Sequence, residues 1–103
     1  MSRPRYSWWG YVKAIIRRYE PSYPKELHGV ALRESCAVSE AVCETGELPD
    51  GSDRLKLVRL IFWDKTHTLE GAAMAVNCSE RTARRWHTEF IRCVARHYGL
   101  LDD

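Results

Sequence analysis

The sequence predicts an all-α fold: a small helical domain of four to five helices containing a C-terminal helix-turn-helix. Apolar residues recur at steps of three and four along most of the chain, and no segment alternates apolar with polar residues as a half-buried strand does. Residues that favour helix caps and turns separate these periodic segments. With 103 residues the chain can bury one helical core, so we expect one compact unit.

Residues 1–51 are predicted to form an N-terminal helical region with two helices, over about 7–20 and 24–45. Pro21 should end the first helix, and Pro24 suits the first turn of the second, where a missing N–H needs no partner. The apolar face of the first helix is made of Trp8, Val12, Ile15, Ile16 and Tyr19. The inward residues of the second helix are expected to be Leu27, Val30, Ala31, Val38, Ala41 and Val42.

A third helix is predicted over residues 53–65, with Ser52 as its N-cap. Its core face is expected to consist of Leu55, Val58, Ile61 and Phe62. Leu57, Leu60 and Trp63 widen this face almost all round. A helix this apolar is either central to its domain or shares its extra surface with a partner.

Signals for a helix-turn-helix follow in residues 68–99. Thr68 and Ser79 are good N-cap residues, and each precedes a periodic apolar run. Between them, Asn77 can enter the left-handed region at modest cost, and Gly99 suits a left-handed helix end. These signals predict a short helix after Thr68, a tight turn, and a long helix after Ser79.

The two faces of this long helix carry opposite chemistry. One face is apolar and is made of Ala83, Trp86, Phe90 and Val94. The opposite face is polar and basic and is made of Arg81, Arg85, Thr88, Arg92 and Arg96. A helix that buries one side and presents guanidinium groups on the other suits the major groove of DNA. A merely solvated face and a helix lying on a membrane surface are the alternatives.

Charge is segregated along the chain, although the net charge is only +2. Residues 1–19 carry five basic groups and no acid, residues 20–50 carry seven acids against two bases, and residues 79–98 carry five arginines against two glutamates. This segregation fits contact with nucleic acid better than the total does. Arg3 and Arg5 form either an arm for the minor groove or a solubilising tail.

The four cysteines form no CxxC pair, so we expect buried, reduced thiols at Cys36, Cys43, Cys78 and Cys93. Cys78 and His87 make a conceivable metal pair but lack two further ligands, so no metal site is predicted. No cofactor is expected. The sequence has no glycine-rich phosphate loop, nucleophile motif or paired-histidine signature, which argues against an enzyme.

No apolar run approaches the length of a membrane span, and the basic start is not followed by a signal-peptide core. We therefore expect a cytoplasmic protein with no membrane partner.

Residues 52–99 resemble the helix-turn-helix of sigma factor region 4. The match is carried by Leu55-Lys-Leu-Val-Arg-Leu-Ile-Phe-Trp63, Thr68-Leu-Glu-Gly-Ala-Ala and Ser79-Glu-Arg-Thr-Ala-Arg-Arg-Trp86. With its opening Trp8-Trp9-Gly-Tyr-Val-Lys-Ala-Ile-Ile and its acidic middle, the whole chain looks like the small late-transcription regulators of phages and prophages in Gram-positive bacteria, the RinA/ArpU type. It departs from the commonest pattern at Asn77, where glycine is usual, and at Gly71.

The resemblance implies sequence-specific binding to double-stranded DNA near a promoter in the bacterial host, with RNA polymerase as a further partner. Carried over by position, the DNA-binding residues are Ser79, Glu80, Arg81, Arg84, Arg85 and Thr88. We expect at least one of Arg81, Arg84 and Arg85 to read a guanine, while Ser79 and Thr88 hold phosphates. Arg92 and Arg96 should lie beyond the groove, on phosphates or in solvent. Glu80 would accept from a cytosine amino group or act on the helix dipole.

Two other functions stay open. The first is that of a terminase small subunit, a phage packaging protein that also uses a helix-turn-helix and assembles into rings. The second is that of a module that docks on RNA polymerase through an apolar surface around Trp63 and does not read DNA. For the DNA-binding function, one helix buries little DNA surface, so we expect a homodimer with half-sites about 34–36 Å apart, or a second protein.

Overall fold

The computed structural model describes residues 7–19 and 28–100, and within these residues it contains five helices and no strand. In chain order the helices are α1 (Trp9–Arg18), α2 (Gly29–Gly46), α3 (Gly51–Val58), α4 (Leu69–Ala75) and α5 (Glu80–Tyr98). A π-helical segment, Arg59–Trp63, continues α3 directly. The predicted all-α fold is confirmed.

Helix α1 is shorter than the predicted 7–20, because Ser7 and Trp8 form a turn before it and Tyr19 is extended after it. Its predicted apolar face is confirmed, since Val12, Ile15 and Ile16 are buried. Several predictions fall on residues outside the described ones: the minor-groove arm with Arg3 and Arg5, the end of the first helix at Pro21, the start of the second at Pro24, and the inward Leu27.

Helix α2 begins at Gly29, and its first turn is exposed. The prediction that Val30 and Ala31 point inward was wrong, since Val30 is 57% exposed and Ala31 is exposed as well. The reason lies in the partner helix. The guanidinium of Arg33 already lies over the ring of Tyr98, the last residue of α5, so earlier residues of α2 extend past that end. Farther along α2, the predicted inward residues Val38 and Ala41 are fully buried.

Helix α3 begins one residue before the predicted N-cap, so the assignment of Ser52 as the cap was wrong. The N-cap position is Asp50, which has a left-handed φ of 60° and makes no side-chain capping bond. The chain turns immediately before α3, where the N–H of Gly51 donates to the carbonyl of Leu48 at 2.9 Å.

The π-helical segment determines where the last residues of the predicted third helix lie. The N–H of Asp64 donates to the carbonyl of Arg59 at 2.8 Å, which widens the turn by one residue. Trp63 then lies against α1, where its indole N–H donates to the carbonyl of Ile16 at 2.7 Å. Its ring also lies 5.8 Å from that of Tyr19.

Two apolar clusters explain why α3 and its continuation are apolar almost all round. In the larger cluster, Val58 and Phe62 pack with the buried residues of α1, α2 and α5. In the smaller cluster, Leu57 and Leu60 pack with α4 and with the start of α5. The segment therefore lies at the centre of the domain and joins the helix-turn-helix to the other helices.

Gly51 is expected to be irreplaceable, because α2 and α3 meet there without room for a side chain. A Cβ at this position would lie 2.4 Å from the carbonyl oxygen of Gly46 and 2.8 Å from that of Thr45. Gly51→Ala should cost about 1–3 kcal/mol in the free energy of unfolding, the usual cost of overpacking. Denaturant unfolding would measure this cost. Gly10→Ala in α1 is the matched control, since a Cβ there meets nothing within 4 Å and stability should not fall.

Candidate nucleic-acid interface

Side-chain caps begin both helices of the helix-turn-helix, as predicted. The Thr68 hydroxyl accepts from the backbone N–H of Gly71 at 3.1 Å. The Ser79 hydroxyl accepts from the backbone N–H of Thr82 at 3.0 Å. Each cap satisfies one backbone donor that a helix start leaves without a partner, so both helix starts are fixed.

The turn between α4 and α5 closes on Asn77, which has the predicted left-handed conformation with φ 61°. The N–H of Cys78 donates to the carbonyl of Ala73 at 3.0 Å, and the N–H of Asn77 donates to that of Met74 at 3.2 Å. This pair of bonds is a Schellman motif, which satisfies the last carbonyls of α4 and reverses the chain over few residues.

The first half of α5 is held by the smaller apolar cluster. Ala83 is fully buried and Trp86 is 5% exposed, and both pack in this cluster with Ala72 and Ala73 of α4. The guanidinium of Arg54, on α3, lies 5.5 Å from the centre of the Trp86 ring. Small residues on α4 let the two helices approach closely, so the beginning of α5 has a rigid support.

Three predicted arginines lie on the open side of this half of α5. Arg81, Arg84 and Arg85 are all exposed. Arg84 pairs with Glu80 one turn earlier, and Arg85 lies 3.7 Å from a carboxylate oxygen of Glu89. Arg81 makes no ion pair with the part of the chain that the structure describes. The guanidinium groups therefore share one face, where exposed ion pairs of this kind contribute little energy and can be exchanged for a ligand.

The remaining predicted contacts take less prominent positions. Ser79 is exposed, but its hydroxyl is committed to capping and also donates to Thr82 at 2.9 Å. Glu80 lies in the first helical turn, where its charge favours the helix dipole, and pairs with Arg84. Thr88 is half-buried on the same face.

The second half of α5 differs from the first, because α1 and α2 enclose it. Ile91, Val94 and Ala95 are all fully buried, although they point in different directions around the helix. Arg92 is half-buried here and lines a cavity between α2, α3 and α5. Arg96 is exposed as expected, and its guanidinium pairs with Glu44 of α2. Of the exposed arginines of α5, Arg81, Arg84 and Arg85 lie in the first half, whereas Arg96 in the second half pairs with another helix.

Glu89 is a residue of this surface that the sequence reasoning missed. Its carboxylate lies 2.7 Å from the guanidinium of Arg54 and 3.7 Å from that of Arg85. It thus connects the cation that covers Trp86 with a cation of the exposed face. The spacing of four residues between Arg85 and Glu89 was the available signal.

The thiols are less buried than predicted: Cys36 and Cys43 are exposed, Cys78 is half-buried and only Cys93 is buried. The first two point away from the core because they lie on the outer side of α2. Cys78 and His87 form no metal-binding group with other described residues. His87 stacks on Phe62 instead, with ring centres 5.3 Å apart. Burial, reinforced by Lys13 and Arg17 nearby, lowers the pKa of His87 to about 4.

Among the described residues, none of the helices combines the length and the apolar character that crossing a bilayer requires. Comparison with models of known protein families, with curated proteins and with solved structures finds no match to this chain.

Proposed function

We propose that this chain is a DNA-binding transcription regulator of phage or prophage type, which places the first half of α5 in the major groove. One observation carries the proposal: Arg81, Arg84 and Arg85 share the exposed side of a capped helix whose other side, at Ala83 and Trp86, is buried. A rigid helix with guanidinium groups along one face can present bidentate donors to guanine edges.

The supports of α5 favour readout of base sequence over loose attraction to phosphates. Ser79 caps the start of α5 and Asn77 closes the turn before it, so the backbone that carries the arginines is fixed in position. A bidentate contact requires this fixed geometry, because both N–H groups must reach two acceptors of one base. Thr88, at the margin of the face, would contact a phosphate of the DNA and set the register, whereas the Ser79 hydroxyl would first have to give up its bond to Thr82.

The alternative of docking on RNA polymerase relied on an apolar surface around Trp63. In the structure that indole packs against Tyr19 and Phe90 and its N–H is bonded to Ile16. The side chain is therefore used within the domain, which favours the DNA-binding proposal over this form of docking.

Selection of bound fragments from the encoding genome, at low ionic strength, tests the proposal. We expect enrichment of fragments upstream of genes, and an affinity that falls steeply as salt rises because arginines displace counterions from phosphates. Enrichment at a genome packaging site, with ring-sized oligomers in solution, would indicate the terminase-like function instead. An absence of any duplex binding at low salt would refute DNA binding altogether.

A further inference from the structure

A mixed cluster of carboxylate, thiol and imidazole groups lies where α2 faces the second half of α5. Glu40 and Glu44 lie one turn apart on α2, and Cys93 and His97 lie one turn apart on α5. Residues four apart share a helix face, so each helix contributes two adjacent side chains to one site. This cluster is on a different part of α5 from Arg81, Arg84 and Arg85.

The distances within the cluster are short. One ring nitrogen of His97, Nε2, lies 3.0 Å from Oε1 of Glu44, and the thiol of Cys93 lies 3.4 Å from Oε2 of the same carboxylate. One ligand atom from each of these three residues lies within 4.8 Å of the others. The second ring nitrogen of His97, Nδ1, lies 2.9 Å from Oε2 of Glu40.

We propose that Glu44, Cys93 and His97 form a binding site for one divalent transition-metal ion of the zinc type, with Glu40 as the residue that orients His97. Tetrahedral zinc holds sulfur, nitrogen and oxygen at about 2.0–2.3 Å, which places neighbouring ligand atoms about 3.3–3.6 Å apart. The two separations from the Glu44 carboxylate, 3.0 Å to His97 and 3.4 Å to Cys93, are close to these values, and the ligand atoms all lie within 4.8 Å of one another, so side-chain movements can bring them around one ion. A water molecule would complete the tetrahedron.

The orientation of His97 is a second argument for a metal. A ligating histidine uses one ring nitrogen for the ion and donates the N–H of the other to a carboxylate, which fixes its tautomer. Here Nδ1 faces Glu40 while Nε2 faces Glu44, beside Cys93. Glu40 therefore holds one side of the imidazole, and the other side is directed toward Glu44 and Cys93.

A cationic side chain already lies against part of this site. The guanidinium of Arg96 pairs with Glu44 and lies 3.6 Å from the sulfur of Cys93. Arg96 thereby lowers the pKa of the Glu44 carboxyl, whereas burial and the neighbouring carboxylate raise the pKa of Cys93 to about 12. Binding of the ion would release the thiol proton to solvent, form the metal–sulfur bond and displace Arg96 from the carboxylate.

An ion can reach the site from the cavity between α2, α3 and α5. This cavity has a volume of about 240 Å³, and Glu44, Cys93 and Arg96 line it. Once bound, the metal would link α2 to α5 and so fasten the N-terminal helices to the helix that carries the exposed arginines. The inference does not depend on DNA binding.

Titration with Co²⁺ under reducing conditions tests the site, because cobalt takes zinc sites and reports sulfur ligation by a thiolate charge-transfer band. We expect one Co²⁺ per chain, a charge-transfer band, and displacement by Zn²⁺. Cys93→Ser should abolish the band. Cys43→Ser is the matched control, since this exposed cysteine of α2 is outside the cluster, and its band should be unchanged.

Two further variants separate the metal site from a simple network of ion pairs. Glu40→Gln should keep the band but weaken Zn²⁺ binding by roughly 10–100-fold, as loss of an orienting carboxylate does. Arg96→Gln should strengthen Zn²⁺ binding, because it removes the competing cation. The inference is overturned if the folded protein shows no thiolate band, or if the band survives Cys93→Ser.

Discussion

Arg85→Ala is expected to weaken binding to the cognate duplex by about fivefold to a hundredfold, the loss that follows removal of one bidentate contact to guanine. Binding to random duplexes should fall much less, because only a charge is lost there. Fluorescence anisotropy on both duplexes at one fixed salt concentration measures the two losses. The variant should remain folded, since Arg85 is exposed and its ion pair with Glu89 is long.

Arg33→Ala is the matched control for this measurement. It removes the same charge, but the Arg33 guanidinium lies 5.0 Å from the ring of Tyr98 at the far end of α5. Tyr98 lies thirteen positions after Arg85, which corresponds to roughly 20 Å along the helix. The affinity of Arg33→Ala for both duplexes should stay close to that of the parent protein.

Arg81→Ala extends the same experiment. Arg81 has no ion pair with the described residues, so it needs to break none before it contacts a base. If the affinity for cognate and random duplexes falls equally in both variants, these arginines contact phosphates and sequence must be read elsewhere. If neither variant loses affinity while Arg33→Ala does, the first half of α5 is not the DNA-binding surface.

Local features of this fold could be predicted because they depend on neighbouring residues. The caps at Thr68 and Ser79, the left-handed Asn77 and the end of α5 at Gly99 all follow from residue type and position within one turn. The buried stripe through Ala83 and Trp86 follows from helical periodicity.

Features that depend on a partner helix could not be predicted in this way. A helical period gives one apolar face, but the second half of α5 is enclosed on several sides, and Arg96 meets Glu44 of a distant segment. The start of α2 is exposed because α5 ends beside Arg33, and the sequence of α2 alone does not indicate where α5 ends. The proposed metal site likewise combines a pair of residues four apart on α2 with a pair four apart on α5. Its members Glu44 and Cys93 are 49 positions apart in the sequence.

His87 should make the stability of the domain depend on pH between about 6.5 and 4. Its ring is stacked on Phe62 at an interplanar angle of 1°, and its pKa falls from 6.5 to about 4 because burial and the nearby charges of Lys13 and Arg17 disfavour the imidazolium. The unfolded chain therefore takes up the proton first as pH falls. This contribution is complete above pH 6.5 and is lost progressively until about pH 4, where both states are protonated.

The loss amounts to at most about 3–4 kcal/mol, since the pKa of His87 falls from 6.5 to about 4 and each pKa unit corresponds to about 1.4 kcal/mol. Denaturant unfolding of the parent protein and of His87→Phe, at a series of pH values, isolates this contribution, because all other groups are common to both proteins. Phenylalanine keeps an aromatic ring against Phe62 but cannot be protonated. The stability of the parent relative to the variant should fall between pH 6.5 and 4 and be constant above that range. Parallel curves throughout would mean that His87 is protonated as readily in the folded domain as in the unfolded chain, and would contradict a lowered pKa of His87.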